Sequence, residues 1–350
     1  MTVQETLKKI RPVSESWLGK ARERLDSLTK PKGSLGMLED LAARFAAIRE
    51  EIPIALPAKE VIVFAGDHDV VSEGVSAYPQ EVTKLMVQNF LNGGAGINVL
   101  ARCAGAEISV VDIGMKEELR EAHPLILRNV RRGAGNIARG PAMTLEEAEK
   151  AVFTGIDMVE SAGKRGISMI ATGEMGIGNT TPSSALFAAL LPLSVQEVTG
   201  RGTGLDDRGL IHKMNIIERA LEVNQDRLKE PMGALAAIGG LEIAGICGLC
   251  LGGAANRTAV VVDGFISSAG ALVAMRLNPH VRDYLFFSHQ SLEVGHRLFY
   301  EMERIRPILN LDLRLGEGTG AAIAMQIIEG AVRVFNEMAT FEDVGIEPGA

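Results

Sequence analysis

Residues 313–324 read LRLGEGTGAAIA, with three glycines inside five positions and one carboxylate, Glu317, between the first two. A glycine-rich junction ahead of an apolar run commonly presents backbone N–H groups to an anion. A glutamate repels such an anion unless it has work of its own. Held where water is scarce, a carboxylate gains a raised pKa and becomes a better proton acceptor. Glu174 has similar surroundings in ATGEMGIGNTTPSSAL (171–186). Each glutamate alone is as well read as a cap for the N–H groups of its own loop. Two of them at strand ends, facing one crevice, point to chemistry.

Other stretches supply what such a site needs. In 171–186, Gly173, Gly176 and Gly178 lead into Asn179-Thr180-Thr181-Pro182, a helix-start signal. Free N–H groups and the helix dipole there suit an anion, although a tight turn needing glycine is the plainer reading. No lysine follows as in a Walker motif, and the spacing is not GxGxxG. A second cluster, TGRGTGLDDRGLIHK (199–213), adds Gly200, Gly202 and Gly204 and ends at Lys213, a mobile cation suited to a phosphate monoester if it is not simply solvated. In AGDHDVVSEGVSAYPQEV (65–82), Asp67, His68 and Asp69 resemble metal ligands, but adjacent residues seldom converge on one ion. His289 and His296, seven apart, could share a helix face, with a core or surface role favoured over a ligand pair.

These residues must be positioned by strands and helices. Apolar runs recur at 61–67, 108–114, 167–174, 259–264, 285–289 and 309–317. The first four are nearly continuous in apolar residues, as in strands buried on both faces. The last alternates Leu309, Leu311, Leu313 and Leu315 with polar residues, which predicts a strand at a sheet edge. Between the runs lie helical patterns. One opens on Thr144 and Glu147 at capping-box spacing, and another holds Pro79 in its expected first turn. Alternating strands and helices predict an α/β, doubly wound, mainly parallel sheet of about six strands, with ligands at the strand carboxyl ends. Residues 1–58 and 318–350 are expected to form a small helical domain, and 59–317 a large Rossmann-like α/β domain carrying the site.

Composition narrows the class. The chain has 350 residues, 47% apolar, a net charge of −8 and no basic block of the kind nucleic acid requires. Three cysteines make no disulfide framework, and MTVQETLKKIRP lacks a signal-peptide core, so a cytoplasmic setting is expected. Cys247 and Cys250 form a CxxC within an apolar run, where buried, inert thiols are the better reading. That run, 232–255, is long enough to span a membrane, but Glu242 interrupts it. Its Gly248-x3-Gly252 pattern instead suits close packing on a neighbouring helix or a second subunit, so no membrane association is expected.

Taken together, KPKGSLGMLEDLA (30–42), AGDHDVVSEGVSAYPQEVT (65–83), GAGINVLA (94–101), GNIARGPAM (135–143), GEMGIGNTTPSSA (173–185), GGLEIAGICG (239–248), VDGF (262–265) and RLGEGTGAA (314–322) resemble the nicotinate-nucleotide:dimethylbenzimidazole phosphoribosyltransferase family. Asp69 departs from the glycine expected there. The resemblance implies that β-nicotinate mononucleotide and 5,6-dimethylbenzimidazole give α-ribazole 5′-phosphate and nicotinate. It further implies single displacement with inversion, a homodimer, and neither metal nor cofactor. Glu317 would be the general base, with Glu174 a second catalytic residue. Gly173, Gly176, Gly178, Asn179, Thr180, Gly202, Gly204, Lys213, Asp263, Ser291 and Gly316 would bind the nucleotide, and Ser288 lies at another strand end. Asp67, His68, Tyr78 and Leu315 would line the azole pocket. Two rivals remain at this point, a metal-dependent phosphoesterase built on Asp67-His68-Asp69 and a non-catalytic nucleotide-binding regulator.

Overall fold

A computed structural model describes residues 2–119 and 124–346. Six parallel strands form one sheet: β1 (Lys59–Gly66), β2 (Glu107–Gly114), β3 (Ile126–Leu127), β4 (Met169–Met175), β5 (Ala259–Val262) and β6 (Leu285–Phe287). Their order across the sheet is β3-β2-β1-β4-β5-β6. Every residue of β1 and β5 is buried, which accounts for their unbroken apolar character. The order reverses between β1 and β4, and a crevice opens beyond the carboxyl ends of such a pair. Phe64 pairs with Glu174 and Ala65 with Met175, so the end of β4 extends alongside that of β1.

The predicted edge strand at 309–317 does not form. Leu309 makes one isolated bridge to His289, and the chain then turns at Asp312 with φ +55°. Leu311 and Leu315 are 50% and 60% exposed, so the leucine alternation marks no sheet face. The sixth strand is Ile126–Leu127, at the opposite edge. The helix after Pro79 starts later than expected, at Val82, with the Pro79 carbonyl accepting the Val82 N–H at 3.2 Å. The Thr144–Glu147 capping box is formed, with bonds of 3.1 and 2.8 Å.

The apolar run 232–255 breaks at Gly239-Gly240 into the helices Pro231–Ile238 and Leu241–Asn256. No described helix is long and apolar enough to cross a membrane. Its small residues serve a neighbouring helix, Leu145–Lys164. A methyl group at Gly248 would fall 1.9 Å from the Val152 carbonyl oxygen, and one at Gly155 would fall 2.0 Å from that of Gly245. Cys247 and Cys250 lie buried in the same helix, and burial pushes both thiols far up.

At the termini, the helices Glu15–Ser27 and Met37–Arg49 meet Thr319–Glu337. Arg24 donates to the Phe335 and Asn336 carbonyls, both at 3.3 Å, and Leu28 bridges Thr340. The helix Thr319–Glu337 also lies against β4 and β5, so it joins the terminal helices to the sheet. Residues 347–350, the tail of the expected helical domain, lie outside the described residues.

Helix contact at van der Waals distance makes a sharp prediction. Gly248→Ala should lower stability by about 1–3 kcal/mol through overpacking. Gly19→Ala, in a helix where an added methyl group meets nothing within 4 Å, should raise it by up to ~1 kcal/mol. Urea unfolding of both variants checks the pair, and equal effects would contradict the packing described.

Candidate active site

At the β1/β4 switch point lies a cavity of about 500 Å³. It is lined by Glu174, Gly176, Gly178, Asn179, Thr180, Gly202, Asp263, Ser291, Leu315, Gly316, Glu317 and Tyr78, all of them named from the sequence. The helix Thr180–Leu190 begins at its wall, so the first N–H groups of that helix lie at the cavity.

Glu317 reaches this place through an unusual turn. Gly316, Glu317 and Gly318 have φ of +81°, +63° and +93°, so the carboxylate is carried by a left-handed residue between two others. Such a conformation costs a non-glycine residue roughly 1–2 kcal/mol, and surrounding contacts must hold it. The Glu317 N–H points to Glu174 Oε1 at 3.4 Å. Asp263 accepts the N–H groups of Gly318 at 3.2 Å and Ala321 at 3.0 Å, capping the helix Thr319–Glu337. Gly173 admits the turn, since a methyl group there would meet the Glu317 carbonyl oxygen at 2.7 Å.

The Glu317 side chain is 5% exposed, and its Oε2 accepts the Ile97 N–H at 3.3 Å. Its Oε1 has no hydrogen bond among the described residues, which leaves it for a ligand proton. Burial raises the Glu317 pKa, the Ile97 bond opposes this, and Asp263 adds to the rise. Glu174 is raised further, to about 8, by burial and then by Asp263. Its second oxygen accepts from the Asn179 amide. Asp263 is raised by burial, with His289 opposing.

Lys213 is fully buried behind the cavity wall. Its Nζ donates to Thr180 Oγ1 at 2.7 Å and to the Gly200 carbonyl at 3.4 Å. A methyl group at Gly202 would lie 3.1 Å from that Nζ, so the cation sits directly beneath the glycine loop. Burial lowers Lys213 to about 8, with the charge of Glu293 opposing the shift. Gly204 faces open space, and Gly173 is covered by the turn. Ser288 is buried and donates to the Asp263 carbonyl at 3.0 Å.

Asp67 and His68 are buried outside the cavity lining. Asp67 accepts from Gln80 Nε2 at 3.1 Å and from the Lys116 N–H at 2.9 Å. His68 Nε2 contacts Glu242 Oε1 at 2.6 Å; burial alone would lower its pKa, but Glu242 together with Asp67 and Asp69 leaves it raised. Asp69 pairs with Lys116. Asp67 and Asp69 are thus held by Gln80 and Lys116 and His68 by Glu242, and no metal-binding cluster of His, Cys, Asp or Glu occurs among the described residues.

His289 and His296 share no helix. His289 follows β6, whereas His296 lies in the helix Val294–Met302, and both are buried. His296 Nδ1 accepts the Ser291 N–H at 2.9 Å, so its Nε2 carries the proton toward Ser268 Oγ, also at 2.9 Å. Burial drives its pKa well down, in keeping with a neutral ring.

Several lining residues had no signal in the sequence reading. Val82 and Met86, four apart on one helix face, supply apolar wall with Met175 and Ile177. Glu293 and Arg314 add charge, and His289, expected in the core or at the surface, proves to line the cavity as well. An acid directly before a helix, as Glu293 is before Val294, was the one available hint.

A family model described as "Phosphoribosyltransferase" matches residues 10–346. A protein of Geobacter sulfurreducens, "Nicotinate-nucleotide--dimethylbenzimidazole phosphoribosyltransferase", is 57% identical over 345 residues, covering 99% of this chain and 98% of its own. One from Geobacter sp. strain M21, bearing the same name, is 54% identical over 344 residues, covering 98% and 99%. Among solved structures, the crystal structure of CobT from Thermus thermophilus is similar with a TM-score of 0.91 and 45% identity, across 95% of this chain and all of that one.

The raised Glu174 makes stability depend on pH. Its folded value of about 8 exceeds the ordinary 4.5, so the folded chain keeps a proton there that the unfolded chain releases. That contribution is complete below the unfolded value and is lost as pH rises through the folded one. Between pH 5 and 8 the protein should lose stability relative to Glu174→Gln, by at most ~1.4 kcal/mol per pH unit. Urea unfolding across that range measures it, and a constant difference would place Glu174 among ordinary carboxylates.

Proposed function

The chain belongs to the nicotinate-nucleotide–dimethylbenzimidazole phosphoribosyltransferase family, and from that premise we propose that it moves phosphoribose by a single inverting displacement with Glu317 as general base. Its enzyme class is pentosyltransferase, and the transfer runs from a nicotinate nucleotide to dimethylbenzimidazole. The nicotinate ring nitrogen is already cationic in the nucleotide, so this group leaves without an acid. The imine nitrogen of the benzimidazole attacks C1′ from the opposite face, which turns β into α. Positive charge then builds on the azole, and its other nitrogen carries an acidic N–H. One base completes the reaction.

A single observation carries this reading. Glu317 has one oxygen pinned by Ile97 N–H and the other, at the cavity, without a partner among the described residues. The raised pKa increases its appetite for a proton. Glu174, raised to about 8, is mainly neutral near pH 7. This supports a role in holding the Glu317 turn over one that places negative charge beside an oxocarbenium ion. The phosphate is read onto the loops 176–180 and 200–204 with Lys213 beneath them, and the azole onto the wall that includes Tyr78 and Leu315. Asp67 and His68, below that wall, would act on the azole pocket only through their neighbours. A homodimer in the cytoplasm remains part of the proposal.

Mixing nicotinate mononucleotide with dimethylbenzimidazole and following free nicotinate tests the activity. Glu317→Gln should lower kcat by roughly 10²–10⁴-fold while leaving the fold intact; turnover near that of the wild type would remove Glu317 from the mechanism. Lys213→Ala should instead raise KM for the nucleotide, since phosphate binding is largely common to ground and transition states. An unchanged KM would put Lys213 outside the site.

A further inference from the structure

The slot read above as the phosphate site already holds an anion. Glu293 lines the cavity beside Gly202, and its Oε2 is buried without a hydrogen-bond partner among the described residues. A methyl group on Gly200 would fall 1.9 Å from that oxygen and 3.0 Å from the carboxylate carbon. The carboxylate therefore lies against the backbone of the same glycine loop whose Gly200 carbonyl accepts from Lys213. Burial pulls its pKa up, while Lys213, Arg314 and the Gly202 N–H favour the charged form.

We propose that Glu293 is a displaceable placeholder for the phosphate of the nucleotide, filling the slot in the free enzyme and leaving it when substrate enters. This deepens the phosphoribosyltransferase reading and rests on it. A buried cation with no anion near it is costly, so Lys213 beneath an empty loop would destabilise the free protein. Glu293 offsets part of that cost. It cannot stay once a doubly charged phosphate takes the same N–H groups, because like charges at such range repel strongly. Arg314 offers it a destination: this residue lines the same cavity and has no hydrogen-bond or ion-pair partner among the described residues, and its charge already acts on Glu293. The occupied slot lowers apparent affinity by the fraction of molecules in which it is open. Glu293 thus sets how tightly the nucleotide is held, and it does so only for substrates that carry the phosphate.

Two variants empty the slot by different routes. Glu293→Gln removes the charge. Glu293→Ala removes the carboxylate altogether and adds nothing to the slot. Calorimetric titration at pH 7 should show each variant binding nicotinate mononucleotide about tenfold more tightly, with the affinity for nicotinate riboside, which lacks the phosphate, unchanged. Unchanged or weaker nucleotide binding in either folded variant would overturn the placeholder, as would an equal gain for the riboside. Should Glu293→Gln not fold, Glu293→Ala decides alone. Failure of the wild type to release nicotinate from the nucleotide and dimethylbenzimidazole would instead overturn the parent reading, so the two failures are distinguishable.

Discussion

Much of the active site depends on the turn Gly316–Gly318 docking onto the carboxyl end of β4. The turn is left-handed at three successive residues, and isolated it would not persist. It is held from three sides, by Glu174 through the Glu317 N–H, by Asp263 at the following helix start, and by the bare surface of Gly173. The contact fixes Glu317 at the switch point of the sheet. It also couples the two glutamates, since the backbone of one is a ligand of the other's side chain. Burial raises both carboxyls, and with the charges of Asp263 and Glu242 it carries Glu174 to about 8.

The rest of the site follows from sheet topology. Placing β1 and β4 side by side with opposite progression leaves a crevice beyond their carboxyl ends, lined by segments that follow β1, β4, β5 and β6. Those segments bring a helix start and glycine backbone to one place, with Lys213 of the helix Asp207–Asn224 buried beneath them, and apolar side chains of the helix Val82–Leu91 to another part of the same lining. An anionic sugar phosphate and a flat heterocycle ask for such a division. The buried packing of Gly248 on the helix Leu145–Lys164 lies far from this chemistry in role. It fixes the layer of helices against which β1, β2 and β4 are seated.

The sequence displays some of this directly. Buried parallel strands announce themselves as apolar runs that stop at glycine or an acid, which is why β1, β2, β4 and β5 and the residues Glu174 and Asp263 could be read without a structure. Glu317 was marked instead by its glycine-rich turn and not by a strand. Helix starts such as Asn179-Thr180 were legible for the same local reason. The edge strand Ile126–Leu127 was not, since two residues carry no period. The leucines of 309–315 carried a false one, because alternation also arises in an extended loop lying on a surface. Lys213 could be named, but its complete burial depends on helix packing. Glu293 and Arg314 look like ordinary surface charges in sequence, and only the fold turns them toward the cavity. Asp67 and His68 show the converse, as a conspicuous acid–histidine cluster proves to be bound up with Gln80, Lys116 and Glu242.

The chemistry requires Glu317 to receive the proton that the azole sheds. A crystal structure of the protein with dimethylbenzimidazole and nicotinate bound tests this most directly. The expected result is a Glu317 carboxylate oxygen roughly 2.6–3.2 Å from the azole nitrogen that carries hydrogen, with Ile97 N–H still on the other oxygen. An azole whose N–H is met by water or by another side chain, with Glu317 turned away, would contradict it.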